Sequence, residues 1–252
     1  MKVYVLNLDR QPERLAHMRA QLSDVPFERV AAIEGAENPP STNGLTRFEL
    51  ACLSSHRAGW RQFLEGSDAH ACFLEDDLHV WPSLKELIAT EDWIPGDAHS
   101  VKLDTYLQKV KLGSLRPAPG GRRVARLFTR HESSAAYLLS RAGARRYLEL
   151  TDDLSLPADY ALFPKTPRRL GLRIYQLTPA IAIQDHLLGR ENGGQRFATA
   201  MADPERARLQ PRSLLTTLRR EAARLIGQAA DTGEAIYLAA SQRPRTTTVS
   251  VG

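Results

Sequence analysis

The sequence predicts an α/β protein built on a mixed sheet, with a Rossmann-like N-terminal half and a helical C-terminal appendage. Three observations carry this. Strand-length apolar runs alternate with segments of helical period through the first hundred residues. Shorter strand-like runs then dominate the middle of the chain. Beyond about residue 201 the pattern becomes helical and arginine-bearing. The expected division is one domain over 1–200 and a basic helical extension with a flexible tail over 201–252.

Taken in order, "KVYVLNL" (2–8) reads as a strand, and Pro12 to Leu22 places Leu15, Met18 and Leu22 at helical spacing. A polar loop through "EGAENPPSTNG" leads to Thr46 and Glu49, which have capping-box spacing and open a helix running to about Gly66. "ACFLE" (71–75) is the next strand, and Ser83 with Glu86 offers a second capping box ahead of "SLKELIA". Strands are expected at 100–104, 123–128 and 135–140, a helix from about Arg141 to Leu150, and final strands at 172–177 and 181–184. In "RSLLTTLRREAARLIGQ", Leu214, Leu218, Leu225 and Ile226 share one side of a helix suited to docking on the domain or lying on a membrane surface. The polar end "SQRPRTTTVSVG" is expected to be poorly ordered.

With 42% apolar and 25% charged residues the chain is neither disordered nor collagen-like, and it can bury a substantial core. The apolar run Val3–Leu6 is too short for a signal-peptide core or a membrane span, so a cytoplasmic protein is expected. Cys52 and Cys72 have no metal-type spacing and read as buried free thiols. The net charge of +5 is uneven: residues 101–130 hold eight Lys and Arg against the single acid Asp104. Such a block attracts phosphates or an anionic membrane surface, or is simply a solvated face. No nucleic-acid motif accompanies it, and no nucleic-acid partner is expected. There is no GxGxxG or GxxxxGK[ST], which excludes the standard dinucleotide and P-loop sites.

The most informative stretch is "ACFLEDDLHVW" (71–81), where an apolar run ends in three adjacent acids. Side chains alternate along a strand, so Glu75 and Asp77 are expected to face one way and Asp76 the other. Two converging carboxylates repel unless a proton or a cation lies between them. A hard divalent ion, Mg²⁺ or Mn²⁺, removes that repulsion using one or two carboxylates alongside substrate phosphates. The carboxyl end of a central strand is also where open α/β sheets bind ligands. A surface turn of solvated acids is the alternative.

"VYVLNLDRQPER", "FERVAAIEG" (27–35), "ELACLSSHRAGW" (49–60), "FLEDDL" (73–78) and "VKLD" (101–104), with the later "AAYLLSRAGARRYL" and "LPADYALF", resemble segments of glycosyltransferase family 25 in order and spacing. The resemblance covers about residues 3 to 190 and implies a GT-A-like fold. It also implies a metal-dependent, inverting transfer of a hexose, galactose or glucose, from a UDP-sugar to a lipopolysaccharide, capsule or other surface-glycan acceptor, with the enzyme peripheral at the inner membrane. Glu75 and Asp77 would then hold Mn²⁺ or Mg²⁺ beneath the diphosphate, and Asp76 would hydrogen-bond the donor ribose or hold the turn. Paired carboxylates with a metal equally suit nucleotidyl or phosphoryl transfer, and a degenerate transferase fold would suit a non-catalytic glycan- or lipid-binding protein.

On the same resemblance, Asn7, Asp9, Arg10 and Arg14 follow the first strand where a nucleotide would sit, the arginines facing the pyrophosphate. Asp9 is equally placed to cap the following helix. His56, in "SSHRAGW", would face the donor site, or be a buried histidine satisfied by a neighbour. Lys102 and Asp104 share a strand face and offer either donor-site contacts or a structural ion pair. Asp159 is the candidate general base for the acceptor hydroxyl, with helix capping after Pro157 as its alternative role. "LPADYALF" has Ala158 and Tyr160 where the family usually has valine and often tryptophan. His186 is placed, by analogy with other GT-A enzymes, to complete the metal shell.

Overall fold

The computed structural model describes residues 1–35, 45–192, 197 and 244–252. The helix expected near 213–228 lies outside these residues. Among those described, no helix is long and apolar enough to cross a membrane.

β1 (Lys2–Asn7), β2 (Glu28–Ala31) and β3 (His70–Glu75) form a parallel trio with β1 in the centre. α1 (Pro12–Gln21) links β1 to β2, and α2 (Arg47–Glu65) leads into β3, which gives the expected Rossmann-like half. The sheet continues through β10 (Ala136–Ser140), β5 (Ser100–Lys102), β11 (Ile174–Thr178), β9 (Arg123–Arg126) and β8 (Arg116–Pro117). β10 runs antiparallel to both β3 and β5, so the eight-stranded sheet is mixed.

The apolar runs are continuous because the central strands are covered on both faces. Tyr4, Leu6, Phe73, Tyr137 and Leu139 face the core under α2, α4 (Arg141–Leu150) and α5 (Ala158–Leu162). Val3, Val5, Leu74 and Leu138 face the other core, with α1 and α3 (Leu84–Ala89). Tyr4, Phe73 and Tyr137 lie in register on three strands and stack at 5.2 and 5.3 Å. Each such ring buries enough surface to stabilise the fold by about 1.5–3 kcal/mol. α2 approaches this ladder closely at Gly59, where an added Cβ would stand 2.9 Å from the Phe73 ring.

Thr46 and Glu49 form the expected reciprocal capping box, at 3.1 and 2.9 Å. Ser83 does not: it precedes α3 with helical backbone angles and makes no side-chain cap. The expected strand 100–104 divides between two sheets. Leu103 still donates to Ala136 O in the large sheet, while its own carbonyl accepts from Ile181. Asp104–Thr105 is then β6 of a three-stranded sheet ordered β4 (Leu78–Val80), β12 (Ala182–Gln184), β6.

Residues 244–252 at the carboxyl end also pack on the domain, against expectation. Arg245–Thr248 (β13) pairs antiparallel with β7 (Lys109–Leu112), Val249 is fully buried, and Thr105 Oγ1 donates to Val249 O at 2.6 Å. Threonine suits a strand, and it covers an open edge here. The basic block 101–130 is correspondingly divided. Lys102 is buried, Arg122 donates to the Gly252 carbonyl, Arg126 pairs with Asp97, and Lys109, Lys111, Arg116 and Arg123 are exposed.

Candidate active site

β3 ends at Glu75, and the chain turns through Asp76 and Asp77 into β4. The alternation of the strand survives into the turn. Glu75 continues the face of Phe73 and meets α2, where His56 Nε2 lies 3.2 Å from its Oε1 and Ser134 Oγ donates to the same oxygen at 2.7 Å. Asp76 continues the opposite face. Its Oδ2 accepts from Asn7 Nδ2 at 2.7 Å and its Oδ1 from Arg14 Nη1 at 3.0 Å, all three residues being buried. Both oxygens of Asp76 are thus engaged by the protein, and they tie the β3–β4 turn to β1 and α1.

Asp77 returns to the side of Glu75. The Gln184 amide, at the end of β12, stands 3.5 Å from Glu75 Oε2 and 3.4 Å from each oxygen of Asp77. One neutral donor therefore bridges two acids. Burial pushes the Asp77 carboxyl up to about 7, and the charge of Glu75 adds to the shift. Burial pushes Glu75 upward too, but the hydrogen bonds of His56 and the Ser134 hydroxyl and the charge of Lys102 outweigh it and hold Glu75 below its ordinary value.

Cys52, Glu75 and Gln184 stand between two pockets. One opens on the Rossmann-like side, lined by Leu8, Arg14, Ile33, Phe48, Ser55 and Asp77. The other opens toward α5, lined by Tyr106, Glu132, Ser134, Asp159, Tyr160 and His186. Asp159 lies in the first turn of α5 and does not cap it, since Pro157 holds the N-cap position. Burial raises its pKa, with Lys102 opposing.

The remaining expected site residues are distributed differently. Asp9 does not cap α1, whose N-cap is Gln11, and instead accepts from Arg29 Nη2. Arg10 is exposed and its Nε donates to both oxygens of Glu34 at 2.8 and 2.9 Å, so its guanidinium is already held by a carboxylate. Lys102 and Asp104 make a 2.8 Å ion pair with both side chains fully buried, and Lys102 also donates to Ser133 O. They line neither pocket. His186 lies in α6 (Asp185–Asn192) and not in a strand, with its ring 6.1 Å from that of Tyr106.

Among the described residues, the three side chains whose ligand atoms converge within 4.8 Å are Cys52, His56 and Glu75; His186 is outside that group. Burial and the charge of Glu75 drive the Cys52 thiol well above its ordinary value, so the sulfur is a neutral thiol at physiological pH. The oxygen donors of Glu75 and Asp77 fit a hard divalent cation better than this softer trio does. Sequence reasoning did not assign Gln184, Ser134 or Tyr137 to the site. Gln184 carried a signal, as the polar end of the apolar run "IAI", whereas Ser134 and Tyr137 carried none.

A mixed α/β sheet with two acids sharing one amide at the carboxyl end of a central strand, between two pockets, is an arrangement in which open α/β sheets bind ligands. Residues 1–162 match glycosyltransferase family 25 (LPS biosynthesis protein), and the chain belongs to that family. It is 28% identical over 208 residues to the lacto-N-neotetraose biosynthesis glycosyltransferase LgtB of Neisseria gonorrhoeae, covering 73% of this chain and 75% of that protein. The lipooligosaccharide biosynthesis protein lex-1 of Haemophilus influenzae is 27% identical over 152 residues, 56% of this chain and 50% of that one. A glycosyltransferase involved in the glycosylation of the major capsid of PBCV-1 superposes on 73% of this chain and 93% of its own, at 11% identity and a TM-score of 0.40.

Proposed function

We propose that this glycosyltransferase is a metal-dependent, inverting enzyme that moves a hexose from a UDP-sugar to a lipopolysaccharide or other surface-glycan acceptor. The observation that carries the reading is the acid pair: Glu75 Oε2 and both Asp77 oxygens gather on the one neutral amide of Gln184, while His56 and Ser134 take the other oxygen of Glu75. Burial raises the Asp77 carboxyl to about 7, and the charge of Glu75 beside it adds to the rise. Glu75 and Asp77 would hold Mn²⁺ or Mg²⁺, which when bound neutralises charge on a departing diphosphate.

The two pockets divide the substrates. The Rossmann-side pocket takes the sugar nucleotide, with Arg14 in its wall and Asn7, Asp76 and Arg14 fixing the floor of the turn. The α5-side pocket takes the acceptor, and Asp159 in its wall accepts the proton of the attacking hydroxyl. Its burial-raised pKa moves it toward the range in which a carboxylate is an effective base. Membership of a family described by LPS biosynthesis supports a glycan acceptor, and the exposed Lys109, Lys111, Arg116 and Arg123 suit peripheral contact with an anionic membrane surface.

The test is turnover of the donor alone. Purified protein with Mn²⁺ is expected to hydrolyse UDP-galactose or UDP-glucose slowly, and Asp77→Ala to lower this by about 10³-fold. Full activity in Asp77→Ala sinks the metal-site reading. Turnover of nucleoside triphosphates without any sugar-nucleotide turnover favours nucleotidyl transfer instead.

A further inference from the structure

The aromatic ladder of the core ends at the acid pair, and it does so through a chain of four side chains on three elements. Trp60 Nε1 lies 2.8 Å from Tyr137 Oη, Tyr137 Oη lies 2.9 Å from His56 Nδ1, and His56 Nε2 lies 3.2 Å from Glu75 Oε1. Trp60, Tyr137 and His56 are at most 1% exposed, so bulk solvent does not reach these groups.

The direction of each bond follows from the first. An indole N–H can only donate, so Tyr137 Oη is an acceptor from Trp60. Its own proton then needs an acceptor, and the one within reach is His56 Nδ1. Were Nδ1 protonated instead, two donors would meet at Tyr137 Oη and the hydroxyl proton would be buried without a partner, at a cost of about 1–3 kcal/mol. With Nδ1 accepting, the ring proton sits on Nε2 and points at Glu75.

We propose that Trp60, Tyr137 and His56 form a one-way hydrogen-bond relay that turns the carboxylate of Glu75, making these three positioning residues for the cation site. Glu75 Oε1 receives His56 Nε2–H and the Ser134 hydroxyl and is saturated by the protein. Oε2 is left toward Gln184 and Asp77. The relay therefore selects which oxygen of Glu75 faces the ligand, and His56, in the wall of the Rossmann-side pocket, serves the site through Glu75. The same geometry accounts for the approach of His56 to Glu75 as a hydrogen bond, with no metal between them. The inference rests on the metal reading only for its consequence, cation affinity; the direction of the relay is a property of the protein alone.

Two measurements test it separately. Nitrogen-15 NMR of the histidine rings in the metal-free protein is expected to show His56 protonated at Nε2 with Nδ1 bare; a ring protonated at Nδ1 overturns the relay whatever the metal result, and needs no variant that must fold. Calorimetric titration with Mn²⁺ then reads the consequence. His56→Ala is expected to weaken Mn²⁺ binding by about 10-fold or more, the scale on which partners of metal ligands act. His56→Gln, whose amide can donate to Glu75 from near the Nε2 position, is expected to recover most of that loss, and Tyr137→Phe to fall between them. Mn²⁺ affinity unchanged in His56→Ala, while Glu75→Gln abolishes it, overturns the positioning role and leaves the metal reading standing. Absence of Mn²⁺ binding by the wild-type protein overturns the metal reading, and the ring tautomer still decides the relay.

Discussion

Two pairs of polar residues, Lys102–Asp104 and Glu75–Asp77, have the same spacing in the chain and follow nearby strands of one sheet, yet they do opposite things. Lys102 and Asp104 carry their own compensation: cation and anion lie 2.8 Å apart, fully buried, outside both pockets. Glu75 and Asp77 are two like charges that share one amide and line the pocket walls. The first pair balances its charge without a ligand, although Asp104 Oδ2 is buried with no hydrogen-bond partner among the described residues, and the second does not. What distinguishes a site from a structural ion pair here is the charge left over, and neither the residue types taken singly nor their spacing reveals it.

Breaking the complete pair should cost the most. Lys102→Met leaves the Asp104 carboxylate buried without its counter-charge and is expected to destabilise the protein by about 3–5 kcal/mol in urea unfolding. The double variant Lys102→Met with Asp104→Leu is expected to recover most of that loss. Burial lowers the pKa of Lys102 and raises that of Asp104, each opposed by the other's charge, which is the signature of a pair held by mutual compensation.

Removing one charge from the incomplete pair should do the reverse. Asp77→Asn is expected to stabilise the metal-free protein at pH 7.5 by up to about 4 kcal/mol, less whatever the solvent-exposed edge of the acids screens, while destroying donor turnover. The sign follows from proton binding. The folded-state value of about 7 exceeds the ordinary 3.8, so between them the folded protein holds more protons than the unfolded chain. This contribution to stability therefore falls as pH rises from about 4 to 7 and stays flat above. Asp77→Asn should lack that slope, which unfolding curves at pH 4.5, 6 and 7.5 will show.

The smallest effect belongs to a third kind of pair. Arg10 and Glu34 meet in solvent, with Arg10 more than half exposed, and Arg10→Ala is expected to change stability by under about 1 kcal/mol. Donor turnover that survives Arg10→Ala keeps this residue out of the phosphate site. A large loss of turnover would place it there and blur the contrast between compensated and uncompensated charge.

Much of this contrast was legible in the sequence. Continuous apolar runs marked β1, β3 and β10, and the period-2 argument separated Asp76 from Glu75 and Asp77, an alternation the chain preserves two residues beyond the end of β3. The family resemblance supplied the sugar nucleotide; three adjacent acids do not specify one. What stayed hidden depends on long-range contact. The fate of Asp9 turns on Arg29, that of Arg10 on Glu34, and the chain leaves one sheet for another at Leu103 because of partners 33 and 78 positions away. The tail looked disordered because its residues are mostly polar, and only two valines, the buried Val249 and Val251, which bridges to Ala180, mark where it packs.

The central claim is that Glu75 and Asp77 form a cation site, and a thermal melt with Mn²⁺ at pH 7.5 tests it most directly. A ligand that binds only the folded state raises the melting temperature in proportion to the logarithm of its concentration once it exceeds its Kd. The wild-type protein is expected to rise with Mn²⁺, and further with UDP present. Asp77→Asn should start higher and stay flat. Equal Mn²⁺ shifts in the two proteins would contradict the account.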